Sequence, residues 1–345
     1  MDQVRAFPST RYSLFISLFL VLVMLLLAHP CSVFKSLAAA EPPLKIRTID
    51  GHESSVMCLS FTPDGRTLAS CRRDGVVRFW DVSTGKSIRS LTHHKDPVYA
   101  VSYSPDGLLL ATASADKRVC LWASDSLTLL RTCDKHEDVV RWVTFRRDGR
   151  KLASCGVDLS VRIWDAQTGR QEHVLYGHRN RVQCVAFSAN GKLLASCGDG
   201  VRLWDANRGK ALGELENPLG HFESIAFSPN SSKIAGSSSA GPVAVWDVEK
   251  RKLMQILGKQ TKEESDSVTF SPDGKWLASG SKDRTIRIYN TATWQLAHSM
   301  ADNPGRIETL EFSPDSRLLA HGGGGGDTRI YLWDLAGGDE GAQGR

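Results

Sequence analysis

A unit of about 42 residues occurs seven times between residues 44 and 334, and this repetition constrains the fold more than any other feature. The first copy, Gly51–Asp81, contains an apolar run, a Pro-Asp-Gly turn, a second apolar run and a Trp-Asp ending. One unit cannot bury its own strands, so the copies predict a single domain. The aromatic residue that ends the first apolar run, called the marker aromatic below, is Phe61, Tyr103, Phe145, Phe187, Phe227, Phe270 and Phe312.

Each copy reads as a series of short strands. Apolar runs rich in Val, Leu and Phe and bounded by turn residues predict buried strands. The first strand ends at the marker aromatic, and a turn such as Thr62–Gly65 leads to the second. A third strand carries a closing aromatic in every copy: Trp80, Trp122, Trp164, Trp204, Trp246, Tyr289 and Trp333.

The pattern resembles the WD40 family over about residues 44–334. This resemblance implies an all-β fold, a seven-bladed β-propeller with four-stranded blades around a central channel. A fourth strand follows the third in the first six copies, but the residues after Asp334 are polar and Gly-rich. We therefore expect Leu44–Ile49 to pair with the third strand of the last blade, which closes the ring and removes an open sheet edge.

The N-terminal part differs from the repeats. Arg5 and Arg11 precede the uncharged stretch Tyr12–Ala28, and Ala38–Ala40 forms an A-x-A site. These features are typical of a secretory signal peptide, and the alternative is an uncleaved hydrophobic helix that anchors the protein. Cys31 after Pro30 is a poor match to a lipidation site. The predicted domains are a signal or anchor (1–40), the propeller (41–335) and a disordered polar tail (336–345), with the propeller outside the cytoplasm.

Polar residues in the first three copies imitate a catalytic triad. The resemblance implies that they form buried hydrogen-bonded tetrads that join the strands of a blade, and their repetition argues against a single hydrolase site. The three sets are His52, Ser70, Asp74 and Trp80; His94, Thr112, Asp116 and Trp122; and His136, Ser154, Asp158 and Trp164.

The later copies depart from this pattern. In the fourth, a shorter turn moves Asp199 by one position relative to the expected place. In the fifth, His221 lies too close to the marker aromatic to belong to a tetrad, and the sixth has no His. In the seventh, His321 occupies the place of the Ser. We expect blades 1–3 to be stiffer than blades 5–7, because a lost buried hydrogen bond costs about 1–3 kcal/mol.

The cysteines and a glycine run leave alternatives open. Cys58 should lie opposite Cys71, and Cys184 opposite Cys197, so either two cross-strand disulfides or buried free thiols would fit. The eight cysteines include no C-x-x-C pair, and no zinc or other metal site is expected. Gly322–Gly326 lacks the Lys-Ser or Lys-Thr of a phosphate-binding loop and is interpreted as a flexible loop.

Function is expected to reside on a surface. The resemblance implies binding of peptides or protein segments around the channel mouth, through the residue four positions before each marker aromatic: Met57, Tyr99, Arg141, Gln183, Glu223, Asp266 and Glu308. The last three would orient a basic stretch of a partner toward blades 5–7, although ordinary solvated charge is the alternative interpretation.

The preferred function is a monomeric, non-enzymatic interaction scaffold without a cofactor and without catalytic residues. A net charge of +5, with no long block of like charges, gives no indication of nucleic-acid binding. The alternatives are an extracytoplasmic propeller enzyme, which would need His and carboxylates around a metal in the channel, and a small-ligand sensor that uses the channel.

Overall fold

The computed structural model describes residues 43–51, 54–258, 263–301 and 303–335. Within these ranges every regular element is a β-strand, and the strands form seven four-stranded antiparallel sheets, which are called blades 1–7. The strands of blades 1–3 are β2 (Val56–Phe61), β3 (Thr67–Arg72), β4 (Val76–Asp81), β5 (Ser87–Thr92); β6 (Val98–Tyr103), β7 (Leu109–Ser114), β8 (Val119–Ala123), β9 (Leu129–Cys133); and β10 (Val140–Phe145), β11 (Lys151–Gly156), β12 (Val161–Asp165), β13 (Gln171–Leu175).

Blades 4–6 follow the same order, whereas blade 7 takes its fourth strand from the start of the domain. Their strands are β14 (Cys184–Phe187), β15 (Leu193–Cys197), β16 (Val201–Asp205), β17 (Lys210–Glu214); β18 (Phe222–Phe227), β19 (Lys233–Ser238), β20 (Val243–Asp247), β21 (Lys252–Leu257); β22 (Ser265–Phe270), β23 (Trp276–Ser281), β24 (Ile286–Asn290), β25 (Leu296–Met300); and β26 (Arg306–Phe312), β27 (Leu318–Gly324), β28 (Ile330–Asp334), β1 (Leu44–Ile49).

The seven sheets form a ring. The first strands of neighbouring blades contact each other in the order β2, β6, β10, β14, β18, β22, β26 and back to β2. In blade 7, β1 pairs antiparallel with β28, with Ile49 opposite Ile330. The protein is therefore a seven-bladed β-propeller, the architecture that the repeats predicted.

Burial changes from the centre of the ring to its rim. The second strand of a blade is almost entirely buried, as in β11, where only Lys151 at its start is partly exposed. The outer strand β9 has four exposed residues and one buried residue, Cys133. Apolar clusters extend from blade to blade, and one of them includes Phe79, Tyr103 and Trp164 from blades 1, 2 and 3. Each blade thus depends on its neighbours to bury its faces.

The turn after each marker aromatic has one repeated geometry. In blade 1 the amide of Gly65 donates to the carbonyl of Thr62 at 2.8 Å, and the Thr62 hydroxyl donates to Asp64 at 2.6 Å. Gly65 adopts a positive φ of 70°. Blades 5 and 7 place Ser231 and Ser316 at the equivalent position, also with positive φ. Gly, Asp and Asn favour this turn, which explains why the motif marks the hairpins so reliably.

The glycine run in blade 7 is not the flexible loop that the sequence suggested. Gly322–Gly324 belong to β27, and only Gly325 and Gly326 form the turn. A Cβ on Gly322 would lie 2.7 Å from the Cβ of Val56 in blade 1. The glycines of β27 are therefore required by close packing, which composition alone does not show.

Several predicted segments lie outside the described residues: the signal or anchor with Tyr12–Ala28, the polar tail from residue 336, and His52 of the first tetrad. No helix long and apolar enough to cross a membrane occurs in the described ranges.

Candidate functional site

The seven residues predicted for the binding face line one cavity at the mouth of the channel. Its volume is about 300 Å³. Met57, Tyr99, Arg141, Gln183, Glu223, Asp266 and Glu308 contribute to its wall, one from each blade.

Their common orientation comes from an irregularity that the sequence did not reveal. In six blades the register between the first and second strands shifts at the residue that lines the mouth. In blade 1, for example, the shift falls between Val56 and Cys58, on either side of Met57. In blade 4 the residue is Gln183, which directly precedes β14. A β-bulge changes the direction of a side chain relative to its strand. The bulges therefore account for six of the seven side chains at this opening, and Gln183 joins them from the residue before its strand.

The two sides of the mouth differ in charge. On blades 1–4 the cavity is lined by three cations and no acid, because Arg73 and Arg181 join Arg141. On blades 5–7 four carboxylates face two cations: Glu223, Glu264, Asp266 and Glu308 against Lys282 and Arg306. The acidic arc expected from the sequence is thus partly neutralised. Arg306 lies 2.5 Å from Glu308, and Lys282 bonds to Glu264 and lies 3.9 Å from Asp266.

A chain of contacts connects the basic side to the acidic side. The Arg141 guanidinium stacks over the Tyr99 ring at 4.5 Å and donates from Nε to Gln183 at 3.1 Å. The Gln183 amide nitrogen in turn donates to Glu223 at 2.5 Å. These contacts span blades 2–5 and hold the side chains before a partner binds, which lowers the entropic cost of association.

Asp266 is the carboxylate of the mouth whose protonation is most perturbed. Burial raises its pKa to about 7; Lys282 opposes this shift, whereas Glu308 and Glu223 add to it. One of its carboxylate oxygens, Oδ2, is buried without a hydrogen-bond partner among the described residues. The negative charge of this side therefore increases as the pH rises through neutrality.

The polar sets inside blades 2 and 3 form continuous hydrogen-bonded chains. In blade 3, Trp164 Nε1 donates to Ser154 Oγ at 2.8 Å, and His136 contacts Ser154 through Nε2 at 2.7 Å and Asp158 through Nδ1 at 2.8 Å. In blade 2 the equivalent distances among Trp122, Thr112, His94 and Asp116 are 3.0, 2.7 and 2.7 Å.

These hydrogen-bonded chains stabilise the blades and are closed to a substrate. Ser154 is fully buried, so no substrate can reach its hydroxyl. Burial lowers the pKa of His136, partly offset by Asp158, which favours a neutral ring with the proton on Nδ1. Burial alone would raise the pKa of Asp158, but hydrogen bonds from His136 and Ser160 outweigh it and hold the pKa well below its usual value. The Trp164 N–H, the Ser154 hydroxyl, both ring nitrogens of His136 and the Asp158 carboxylate thus all have hydrogen-bond partners.

Blade 4 also contains a complete chain, so the departure expected there is wrong. Asp199 lies 2.5 Å from His178 Nδ1, His178 Nε2 lies 2.7 Å from Ser196, and Trp204 donates to Ser196 at 2.8 Å. The turn is two residues shorter than in blade 3, and the backbone compensates for the displacement of the acid by one position.

In blade 1 the tryptophan keeps its serine partner and the acid has arginine partners, whereas in blade 5 the tryptophan bonds to the backbone. Trp80 donates to Ser70 at 2.7 Å, while Asp74 bonds to Arg72 and lies 3.4 Å from Arg78. In blade 5, Trp246 donates to a backbone carbonyl, that of Glu216, at 2.8 Å. His221 lies 3.4 Å from Glu223 instead.

Blades 6 and 7 have different polar arrangements. In blade 6, Asp283 pairs with Arg287 at 2.6 Å. In blade 7, the Tyr331 hydroxyl donates to Asp327 at 3.0 Å, and the fully buried ring of His321 stacks on Tyr331.

The cysteine register follows the sequence, and the thiols are free. Cys58 lies opposite Cys71, and Cys184 opposite Cys197. All seven cysteines of the described ranges are buried and unbonded to one another by disulfides. The Cys58 thiol lies 3.5 Å from the carbonyl of Val101 in the next blade. They act here as small apolar core residues.

Seven blades built on one repeat, the buried polar chains of blades 2–4 and a polar channel mouth define a β-propeller of the tryptophan–aspartate repeat class. Comparison with known families agrees. Residues 143–343, more than half of the chain, match the family described as IFT122 first beta-propeller, and residues 44–81 and 85–123 match WD domain, G-beta repeat. The chain belongs to the WD40-repeat β-propeller family.

Curated relatives match over shorter segments. The chain is 32% identical over 104 residues to WD repeat and SOCS box-containing protein 1 of Xenopus tropicalis, covering 30% of this chain and 24% of the relative. It is 31% identical over 103 residues to APC/C activator protein CDC20 of Saccharomyces cerevisiae, covering 29% and 17%. It is 33% identical over 111 residues to Guanine nucleotide-binding protein subunit beta-like protein 1 of Mus musculus, covering 30% and 32%. The matches thus span a third or less of these relatives.

Proposed function

We propose that this protein is a non-enzymatic interaction scaffold that binds an extended segment of a partner protein across the mouth of the channel. The observation that carries the proposal is the convergence of seven side chains, one from each blade, on a single cavity with a basic and an acidic side. The family supports it, because WD40 propellers generally act as interaction scaffolds.

The charge separation gives the segment a direction. Its basic residues would lie over blades 5–7, near Asp266 and Glu223, and its acidic residues over Arg73, Arg141 and Arg181. Complementary charge of this kind mainly increases the association rate and fixes the orientation. Tyr99 and Trp142 line the same cavity and would supply the aromatic contacts that usually carry affinity.

The test is a selection of random peptides against the full-length protein. We expect enriched peptides to contain Lys or Arg and to bind the triple variant Glu223→Lys, Asp266→Lys, Glu308→Lys at least about tenfold more weakly, a loss of about 1.4 kcal/mol. The matched control reverses three exposed acids that do not line the mouth cavity, Asp134, Glu216 and Glu249. Equal affinity of the selected peptides for both triple variants would refute the proposal.

We also propose that the propeller acts outside the cytoplasm. The support is the sequence alone: Arg5 and Arg11, the apolar stretch Tyr12–Ala28 and the small residues Ala38–Ala40. N-terminal sequencing of the mature protein tests it. A start at Glu41 indicates a cleaved signal peptide, an intact N-terminus in the membrane fraction indicates an anchor, and an intact N-terminus in the cytosolic fraction contradicts export.

A further inference from the structure

The channel continues inward from the mouth into a second cavity of about 540 Å³. Trp142, Ser224, Ser267 and Thr309 line both cavities, so the two are continuous. The volume lies within the range of small-ligand pockets.

One level of this channel is called the waist here; it consists of the residue directly before each marker aromatic. Six blades place a small side chain at this level, and blade 7 alone places a carboxylate there. The seven residues are Ser60, Ser102, Thr144, Ala186, Ala226, Thr269 and Glu311. The members from blades 3–7 line the second cavity.

Glu311 is an isolated carboxyl group. Its carboxylate has no hydrogen bond and no ion pair with any residue in the described ranges. Burial raises its pKa to about 8, and the nearby Cys58 thiol adds to the shift. Among the residues lining the second cavity, Arg147 is the other charged one, and it is solvent-exposed. A counter-cation in the channel would stabilise the ionised form of this carboxyl group.

We propose that the waist of the channel binds a single protonated primary amine, with the Glu311 carboxylate as its counter-charge and the hydroxyl oxygens of Thr144 and Thr269 as further acceptors. An ammonium group has three N–H donors and one charge, which suits one carboxylate among neutral hydroxyls. Ca²⁺ and Mg²⁺ require several oxygen ligands, and within the described ranges no group of three or more His, Cys, Asp or Glu side chains could hold a metal.

The amine has two sources, a free alkylamine or a lysine side chain of a protein segment that lies across the mouth. The site itself does not depend on the peptide proposal, because a free amine tests it alone. The wall between mouth and waist includes the partly buried Trp142, against which the methylene groups of either source can pack.

The test is calorimetric titration of the full-length protein with n-butylammonium. Because the deprotonated carboxylate is the binding form, we expect the association constant to rise about tenfold from pH 6 to pH 7. Glu311→Gln should remove both the binding and its pH dependence. Glu249→Gln, the same change on an exposed turn, should bind as the wild type does.

Two further measurements keep the result decisive. Ala226→Leu leaves the carboxylate in place but narrows the waist, and it should weaken binding at least about tenfold. Thermal unfolding followed by circular dichroism verifies that each variant is folded. No binding at millimolar amine, unchanged binding by Glu311→Gln, or tighter binding of ethylguanidinium than of n-butylammonium would each overturn the proposal.

A third titration distinguishes the sources. If a short lysine peptide binds more tightly than n-butylammonium and also requires Glu311, the site receives a lysine of a partner. If the free amine binds equally well or better, the site serves a small ligand. A failure of the mouth selection together with amine binding at the waist would refute the peptide proposal and leave this one intact.

Discussion

Replacing His321 by leucine should make the propeller more resistant to acid. The imidazole is fully buried in blade 7, with its ring centroid 4.7 Å from that of Tyr331 and 6.2 Å from that of Trp333. Neither ring nitrogen has a hydrogen-bond partner among the described residues. Burial lowers the pKa of His321 to about 3, while Asp327 opposes this shift and Lys45 adds to it.

The effect of pH on stability follows from the coupling between protonation of His321 and unfolding. The unfolded chain binds the proton near pH 6.5, and the folded chain only near pH 3, so acid favours the unfolded state between these values. At pH 4.5 this one group lowers the free energy of unfolding by about 3 kcal/mol relative to pH 8. Leucine has no such proton and also removes two unpartnered polar atoms, so the variant should be at least as stable at pH 8.

The assay is urea unfolding of both proteins at pH 8 and pH 4.5, followed by tryptophan fluorescence. The gap in unfolding free energy should widen by about 3 kcal/mol at the lower pH. His93→Asn, a change at an exposed histidine, is the control and should show the same pH dependence as the wild type. A constant gap between the wild type and His321→Leu would refute the reasoning.

Three further predictions concern stability. Gly322→Ala should lower the free energy of unfolding by about 1–3 kcal/mol in urea unfolding, because the new methyl would overlap Val56; no loss would show that the blades can separate freely. Deletion of residues 41–50 should lower the melting temperature sharply, since β28 would become an edge strand, and an unchanged value would contradict the role of β1. Ser154→Ala should cost about 1–3 kcal/mol by leaving His136 Nε2 and Trp164 Nε1 without their shared partner, and hydrogen exchange should then increase in blade 3 before the other blades.

The repeat predicted the strands and their order because the turn chemistry and the apolar periodicity agree in every copy. The same register placed Cys58 opposite Cys71, which the pairing of β2 with β3 bears out. The run Gly322–Gly326 was misread because glycine composition suggests flexibility. Here the glycines permit close contact with blade 1, a requirement visible only when the neighbouring blade is in place.

The charge of the mouth could be predicted only in part. The position four before each marker aromatic identified three of the four acids. Their partners Lys282 and Arg306 come from other positions, the turn after β23 and the start of β26. Asp199 shows a similar limit, because counting residues across a shortened turn does not show where the backbone carries the side chain. Both errors concern contacts that depend on backbone geometry rather than on residue type.

Two channel residues that the sequence analysis missed are nevertheless visible in the aligned repeats. Three positions before the marker aromatic, six copies have Cys, Ala, Ser or Thr and the third has Trp142; one position before it, six have Ser, Thr or Ala and the seventh has Glu311. Positions that face a shared axis must fit together around it, so a single large or charged residue among small ones changes the channel far more than an ordinary surface substitution does. The seven copies of this chain therefore serve as an internal comparison, in which the exceptional member of a column indicates the chemistry of the channel and the shared members indicate its walls.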